Sequence, residues 1–231
     1  MKLLIISAGP GIQEIKEEFG HAIDWISKII DKSSKIDVYS VDIYSDKNFD
    51  ESNFDAWIIT GSAASVRDNF NWIELLKKKI IYAHKKSIPI LGICFGHQVI
   101  SSALGGKVVQ NKKGWELGSY KLNINKAGRS SSLFKGIDVS DYFYFSHEDV
   151  VSKLPDYAIE LANNQMGLQS FSIDNKIFGV QFHPEFSVDI MDRYVKVRYE
   201  KGIISAYNQV FESKSSYKII SNFIEIIRGG K

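Results

Sequence analysis

The residue with the clearest chemical potential is Cys94, the single cysteine of the chain, which lies between Gly92 and Gly96 in the pattern G-x-C-x-G. Residues 88–93 form an apolar run of strand length, and residues 95–104 carry apolar side chains at helical spacing. We therefore expect a buried strand that turns sharply into a helix at the cysteine, where glycines avoid the clash of a Cβ. The pattern is the cysteine counterpart of the G-x-S-x-G nucleophile elbow.

Two features of such a turn favour a nucleophilic sulfur. The N-terminus of a helix stabilises negative charge, and therefore favours the thiolate of Cys94 over the thiol. The backbone N–H of Phe95 is placed to stabilise an oxyanion. The alternative is that Cys94 is a small buried hydrophobic residue, as most lone cysteines are, but the elbow pattern favours the nucleophile.

A second stretch, IFGVQFHPEFS at residues 177–187, supplies the partners that a nucleophilic cysteine needs. Its apolar first half predicts another buried strand, and His183 follows where that strand ends. Histidine can take and return a proton near neutral pH, and Glu185 can orient the imidazole. A histidine at a strand end is more often a hydrogen-bonded surface residue, so the prediction depends on its pairing with the elbow.

These two stretches, GICFGHQ and GVQFHPE, resemble the two signatures of class I glutamine amidotransferases, a family with a Cys-His-Glu triad. The resemblance runs from about residue 3 to residue 187. Three further stretches, TGSAASV, GWELG and FSHEDVVSKLP, are similar to stand-alone proteins of the GMP synthase-like kind. The resemblance implies that Cys94, His183 and Glu185 are the catalytic residues.

The resemblance also implies roles around the triad. Gly61, at the end of the strand predicted for residues 55–60, matches the second half of the oxyanion hole, beside Phe95; a plain turn glycine is the alternative. Four residues match substrate-contacting positions: Ser62, Gln98, Ser146 and His147. His147 competes with His183 as the base, and the H-P-E context favours His183. The resemblance implies that the imidazole of His97 is not required chemically, and His21 is predicted to be structural.

Composition limits the remaining possibilities. The chain has 231 residues, a formal net charge of +2 and one cysteine, which predicts one substantial α/β domain and no internal disulfide or cysteine-based metal cluster. The balanced charge gives no reason to expect nucleic acid or an acidic membrane surface as a partner. We expect neither a signal peptide nor a membrane-spanning helix, no metal or other cofactor, and a cytoplasmic location, which suits a free thiol.

The apolar periodicity predicts a single doubly wound domain over residues 1–231, with a mostly parallel central sheet, helices on both faces and a small antiparallel section. One continuous helix is expected over residues 12–30, a polar loop over 46–53, and an antiparallel pair of strands at 107–111 and 117–124. Glu116, between that pair, is more simply a solvated loop carboxylate than a site residue. Residues 188–211 and 216–228 are expected to be a helical extension that packs on the sheet; a partner or dimer surface is the alternative.

The expected reaction is hydrolysis of a glutamine-type side-chain amide through a cysteine thioester, giving glutamate and ammonia. The sequence contains neither an S-G-G-x-D-S pyrophosphatase loop nor a G-x-x-x-x-G-K-[ST] phosphate loop. The chain is therefore expected to serve a separate ammonia-accepting synthetase of the GMP synthase type. The alternatives are a free-standing γ-glutamyl peptide hydrolase and, from another class, a catalytically silent binding module, against which the intact triad argues.

Overall fold

Twelve strands and seven helices make up the part of the chain that the computed structural model describes, residues 1–30, 35–45 and 47–229. The strands are β1 (Lys2–Ser7), β2 (Asp37–Asp42), β3 (Ala56–Ile59), β4 (Ile90–Ile93), β5 (Lys107–Gln110), β6 (Glu116–Tyr120), β7 (Asn123–Ile124), β8 (Phe143–His147), β9 (Asp149–Lys153), β10 (Ile159–Asn164), β11 (Gly167–Ile173) and β12 (Ile177–Val180). The helices are α1 (Gln13–Phe19), α2 (Ala22–Ile29), α3 (Asn71–Lys85), α4 (Phe95–Ala103), α5 (Lys126–Ser130), α6 (Val188–Glu200) and α7 (Lys218–Gly229).

A central sheet of eight strands in the order β2-β1-β3-β4-β12-β11-β10-β7 confirms the predicted architecture. The ladders from β2 to β12 are parallel, and those from β12 to β7 are antiparallel. The strands β3, β4 and β12 are buried along their whole length, as expected of parallel strands covered on both faces. The fold is a single doubly wound α/β domain.

Two hydrophobic clusters lie on opposite faces of this sheet. One packs α2 and α7 against strand residues such as Ile5, Leu91 and Phe178. The other packs α3 and α4 against the opposite face, around Trp57 and Ile59. A third cluster joins α1, α2 and α6 beside the sheet. The carboxyl ends of β3, β4 and β12 are thereby fixed next to one another, at the edge where open parallel sheets bind ligands.

The prediction of a single helix over residues 12–30 is wrong. The backbone turns at Gly20, and the two helices α1 and α2 lie on either side of it. Gly20 ends α1 with a φ of 85°, in the left-handed region that glycine adopts readily. His21 is not inside a helix but caps α2: its N–H donates to the Asp24 carboxylate at 2.9 Å, and its ring Nε2 contacts Gly9 O at 3.0 Å. His21 is therefore structural, as expected, although in a different position.

The strands predicted at residues 107–111 and 117–124 form, but they do not pair with each other. Instead β5 pairs with β9, and β6 pairs with β8, both antiparallel. The segment 117–124 is divided between β6 and the short β7, which joins the edge of the central sheet. The periodicity identifies which segments are extended, but pairing partners are chosen by contacts between segments far apart in sequence. The loop predicted for residues 46–53 contains a short helical turn at Glu51–Asn53, and Asp46 lies outside the described residues.

The C-terminal extension also differs from its prediction. α6 ends at Glu200, because Gly202 takes a φ of 67° just beyond it, and residues 201–217 contain no helix. The helix α7 then presents Ile219, Ile220 and Phe223 to the core, with Phe223 edge-on to Phe178 of β12 at 6.4 Å between ring centroids. The apolar stripe of α7 therefore packs on the sheet, as predicted. Residues 230 and 231 lie outside the described residues.

This packing makes α7 testable as an integral part of the domain. Phe223→Ala should lower the free energy of unfolding by about 3–5 kcal/mol, since it removes a fully buried aromatic ring and leaves a cavity. Urea unfolding measures the change. Ile203→Ala, at a side chain 43% exposed, is the control and should change stability by less than about 0.5 kcal/mol. Equal effects would show that α7 is not part of the core.

Candidate active site

Cys94 occupies a strained turn between β4 and α4. Its φ and ψ of 53° and −102° are unusual for a residue with a Cβ, and the neighbouring glycines explain how the turn is accommodated. A Cβ on Gly92 would lie 2.5 Å from the Gly96 carbonyl carbon, and one on Gly96 would lie 2.3 Å from Ile59 O. The turn holds the sulfur at the helix N-terminus, with Sγ 4.0 Å from Ser146 O.

His183 and Glu185 lie beside the cysteine, at the end of β12. The His183 ring nitrogen Nδ1 is 2.8 Å from Glu185 Oε1, and both side chains are buried. The imidazole and the Cys94 side chain line the same cavity and both lie next to Gly61, and Nε2 is the ring nitrogen that Glu185 does not bind. The ring is also stacked on Phe186, with centroids 4.1 Å apart. The sequence thus brings together the three predicted catalytic side chains in the order sulfur, imidazole, carboxylate.

The electrostatics of this group favour a charged imidazole. Burial of the ring disfavours its protonated form, but the negative charges of Glu185 and of the Cys94 thiolate outweigh burial and raise the pKa of His183 to about 10. A protonated ring beside the sulfur is the arrangement that stabilises a thiolate. The two groups can therefore act as a preformed nucleophile and proton donor.

The backbone of Gly61 closes the other side of the sulfur. A Cβ on Gly61 would lie 2.9 Å from His183 Cε1 and 3.6 Å from Cys94 Cβ, so only glycine fits without displacing the base. The Thr60 hydroxyl accepts the Ala8 N–H and donates to Gly61 O, both at 3.0 Å. On the helix side, Phe95 is the first helical residue, and its N–H has no partner within the helix. The two predicted oxyanion donors thus flank Cys94.

The four predicted substrate-contacting residues surround the sulfur in different ways. Ser62 and Ser146 line the space in front of it. Gln98 is buried and donates its amide to Asp149 O at 2.9 Å and to Gln181 Oε1 at 3.1 Å. Its nitrogen is therefore occupied by the protein, and it can position the Ser146 segment more readily than donate to a ligand.

His147 is directed away from Cys94. Its Nδ1 lies 3.0 Å from Asp149 O, and its Nε2 lies 2.9 Å from Glu116 Oε2. Since both ring nitrogens have partners within the protein, the side chain is not placed to move a proton at the sulfur. The prediction that His183 rather than His147 is the base is consistent with these contacts.

The expectation of a solvated loop position for Glu116 is wrong. The residue is 1% exposed and is the first residue of β6, directly opposite His147 in β8. Besides His147, its carboxylate accepts from Asn164 at 2.6 Å and from Gln169 at 2.8 Å. These bonds compensate the burial of its charge. Glu116 stands in the stretch GWELG, which has no apolar periodicity that would predict a buried strand position.

Two sets of contacts were missed by the sequence analysis, although the polar stretch at residues 65–71 predicts a loop over the site. The loop after β3 is tied over the site by Asp149, which binds Arg67 at 2.8 Å and accepts from the Ser65 hydroxyl. From α6, Arg198 and Tyr194 reach the wall of the site. Neither side chain stands out from the other polar residues of that helix in the sequence. His97, in contrast, is fully buried, and burial lowers its pKa to about 3, so its ring is neutral.

Two cavities meet at Cys94. One, of about 260 Å³, is lined by polar residues that include Gln98, His147 and Asp149. The other, of about 70 Å³, lies on the His183 side and reaches apolar residues of α1 and α2, among them Ile15 and Trp25. Both are lined by Cys94, Ser146 and Arg198. A substrate at the sulfur can thus extend in two directions.

Within the described residues, no group of three or more histidine, cysteine, aspartate or glutamate side chains is arranged to hold a metal ion. None of the helices in those same ranges is long and apolar enough to cross a membrane.

The fold and the site define a class of protein, an α/β enzyme fold with a cysteine, histidine and glutamate grouped at the carboxyl ends of parallel strands. The family model for glutamine amidotransferase class-I matches residues 25–196. The chain belongs to this family.

Particular relatives differ in how much of the chain they share. Gamma-glutamyl peptidase 4 of Arabidopsis thaliana is 31% identical over 196 residues, 82% of this chain and 78% of the relative. The glutamine-hydrolysing GMP synthase of Clostridium kluyveri is 42% identical over 100 residues, which are 42% of this chain and only 19% of that synthase. A crystal structure of a glutamine amidotransferase from Thermotoga maritima has a TM-score of 0.73 at 18% identity, covering 99% and 97% of the two chains, and confirms the fold.

The raised pKa of His183 predicts a specific titration. The ring should stay protonated across neutral pH and lose its proton near pH 10, whereas His97 should stay neutral down to about pH 3. Because the pKa is raised, the stabilisation from this charge is present below the unfolded value of about 6.5 and is lost as pH rises towards 10. Histidine-selective NMR, assigned with His183→Gln, measures both rings.

Glu185→Gln should lower the midpoint of His183, because the neutral amide no longer stabilises the imidazolium. His84→Gln, at a partly exposed helix end, is the control and should leave that midpoint unchanged. A His183 midpoint near 6.5 in the unaltered protein would contradict the charged pair.

Proposed function

We propose that the protein hydrolyses the side-chain amide of glutamine or of another γ-glutamyl compound through a covalent thioester on Cys94. The Cys94 thiolate attacks the γ-carbonyl carbon, and the N–H groups of Phe95 and Gly61 receive the oxyanion. His183 gives its proton to the departing nitrogen as the carbon–nitrogen bond breaks. Water, deprotonated by His183, then attacks the thioester, and glutamate leaves as the thiol is restored.

The observation that carries this proposal is the placement of the Cys94 sulfur beside an imidazole that is itself bound to Glu185 at 2.8 Å. Each partner has one role that its position allows: the sulfur faces the cavities, the ring lies between, and the carboxylate is buried behind the ring. Burial in a site with little solvent strengthens the interaction of these charges with one another. Membership of the class-I glutamine amidotransferase family supports the same chemistry.

Covalent trapping tests the nucleophile directly. A diazo-ketone analogue of glutamine should add one covalent group at Cys94, located by peptide mass spectrometry, and Cys94→Ala should take up none and hydrolyse no substrate. Circular dichroism should show that the variant keeps its fold. Labelling of Cys94→Ala at the same rate would place the nucleophile elsewhere.

The histidine variants supply the matched comparison. His183→Ala should lower kcat by about 10²–10⁴-fold, the range typical of a lost general acid–base. Glu185→Gln should cost less, since it orients the ring without touching the substrate, and His97→Gln should cost least. A loss at His97 as large as at His183 would contradict the assignment of the base.

The fate of the departing nitrogen separates two candidate activities. We propose glutamine as a substrate whose ammonia passes to a separate synthetase of the GMP synthase type; family membership and the partial match to GMP synthases support it. The second candidate, cleavage of γ-glutamyl peptides, is favoured by the cavity on the His183 side, because a leaving group larger than ammonia must be accommodated beside the proton donor. The longer match to a γ-glutamyl peptidase supports this candidate. A cytoplasmic location and a homodimer remain proposals.

A substitution that narrows the cavity on the His183 side distinguishes the two candidate activities. Ala22→Leu, at the start of α2 in the cavity wall, should lower kcat/KM for a γ-glutamyl dipeptide by about 10-fold or more while glutamine turnover changes little, since only the larger leaving group meets the added side chain. Lys28→Leu, exposed on the same helix, is the control. If the unaltered protein releases ammonia slowly, is accelerated by a synthetase with its nucleotide, and cleaves no dipeptide, the peptidase candidate fails.

A further inference from the structure

Arg198 of α6 places a guanidinium group in the wall shared by both cavities. Its guanidinium carbon lies 4.2 Å from the centre of the Trp115 ring, and its Nη2 donates to Ser146 Oγ at 3.1 Å. The aromatic face and the hydroxyl fix the plane of the group. Nε is buried and has no hydrogen-bond partner among the described residues, so the protein does not satisfy all of its donors.

The charge of Arg198 is not matched by a carboxylate within the described residues, in contrast to three other arginines. Arg67 is paired with Asp149, Arg193 with Glu18, and Arg228 with Glu225. Burial lowers the pKa of the Arg198 guanidinium, and the Cys94 thiolate acts in the opposite direction. The side chain is partly buried, and a cation withdrawn from water without a charged partner is costly, which favours a ligand that supplies the negative charge.

We propose that Arg198 binds a carboxylate group of the substrate. The inference rests on the proposed function, since it requires a γ-glutamyl compound seated at Cys94. A guanidinium held flat against an indole recognises the planar carboxylate through its forked donors. Its place beside Ser146 and Cys94 puts that carboxylate within the same small space as the reacting amide.

The carboxylate can come from either end of the substrate. In the polar cavity it is the α-carboxylate of the γ-glutamyl group, which glutamine and every γ-glutamyl peptide carry. In the cavity on the His183 side it is the carboxylate of the departing amino acid, which glutamine lacks. The two sources require a carboxylate in different parts of the substrate, and the following measurements distinguish them.

The first measurement is the rate at which the diazo-ketone analogue labels Cys94. If Arg198 binds the α-carboxylate, Arg198→Gln should slow labelling by about 10- to 100-fold, the effect of one charged hydrogen-bonding partner, and Arg198→Lys should recover part of it. The α-carboxamide form of the analogue should label both proteins equally. Arg193→Gln, on the same helix and paired outside the cavities, is the matched control and should label normally.

The second measurement compares γ-glutamylglycine with γ-glutamylmethylamide, which differ in the carboxylate of the leaving group. If Arg198 binds that carboxylate, Arg198→Gln should lower kcat/KM about 10- to 100-fold for the glycine compound alone, with diazo-ketone labelling unchanged. Neutral iodoacetamide reports thiol reactivity, and the rate at which it alkylates Cys94 in each variant is the reference by which the other rates are divided.

The outcomes of these measurements separate the proposed function from the proposed carboxylate site. If the unaltered protein is not labelled by the diazo-ketone at all, the proposed function is wrong. If it is labelled, and Arg198→Gln changes neither labelling nor the discrimination between the two dipeptide analogues, only the carboxylate site is wrong. A uniform fall with every reagent, iodoacetamide included, would assign Arg198 a structural role and also overturn the inference.

Discussion

The structure depends on a buried group of charges, in which Glu185 is bound to His183 and His183 lies beside the sulfur of Cys94. None of these groups is stable as an ion alone in a buried environment, since an unpaired buried charge costs far more than a hydrogen bond returns. Together they compensate one another, and the pKa of His183 rises although burial opposes it. The parallel order β3-β4-β12 makes this possible, because it brings the ends of three distant segments to one point.

A second buried polar group supports the first. Glu116 and His147 are register partners across the β6–β8 pair, and Gln169 of the central sheet donates to the same carboxylate. The bonds fix the direction of the His147 ring and therefore the course of the Ser146 backbone, whose carbonyl lies against Cys94. Asp149 continues this segment towards the loop after β3 through Arg67. The segments that line the polar cavity are thus fixed by hydrogen bonds and an ion pair to one another. Such fixed positions are the condition for a preorganised site.

The sequence predicted the parts of this arrangement that are local. The elbow, the buried strands and the His-Pro-Glu turn follow from glycine spacing and apolar runs, because neighbouring residues decide them. The break at Gly20 was missed because the apolar stripe continues across it, so that periodicity alone does not show where the backbone turns. The β5–β9 and β6–β8 pairs, and with them the burial of Glu116, depend on contacts between residues that are distant in sequence, such as Glu116 and His147, which no local pattern reports. Arg198 was missed for the same reason.

The helix α6 shows why the segment beyond residue 187 belongs with the site. Phe186 stacks on His183, and Tyr194 stacks on Phe186 with centroids 4.8 Å apart, so the helix supports the His183 ring through two stacked rings. Burial raises the pKa of Tyr194, which keeps its hydroxyl neutral beside the charged pair. One turn further along, Arg198 reaches the cavities from the same helix, two residues beyond the match to the family model. The group of Cys94, His183 and Glu185 therefore lies within the part of the chain that the family model matches, whereas Arg198, in the wall of both cavities, lies outside it.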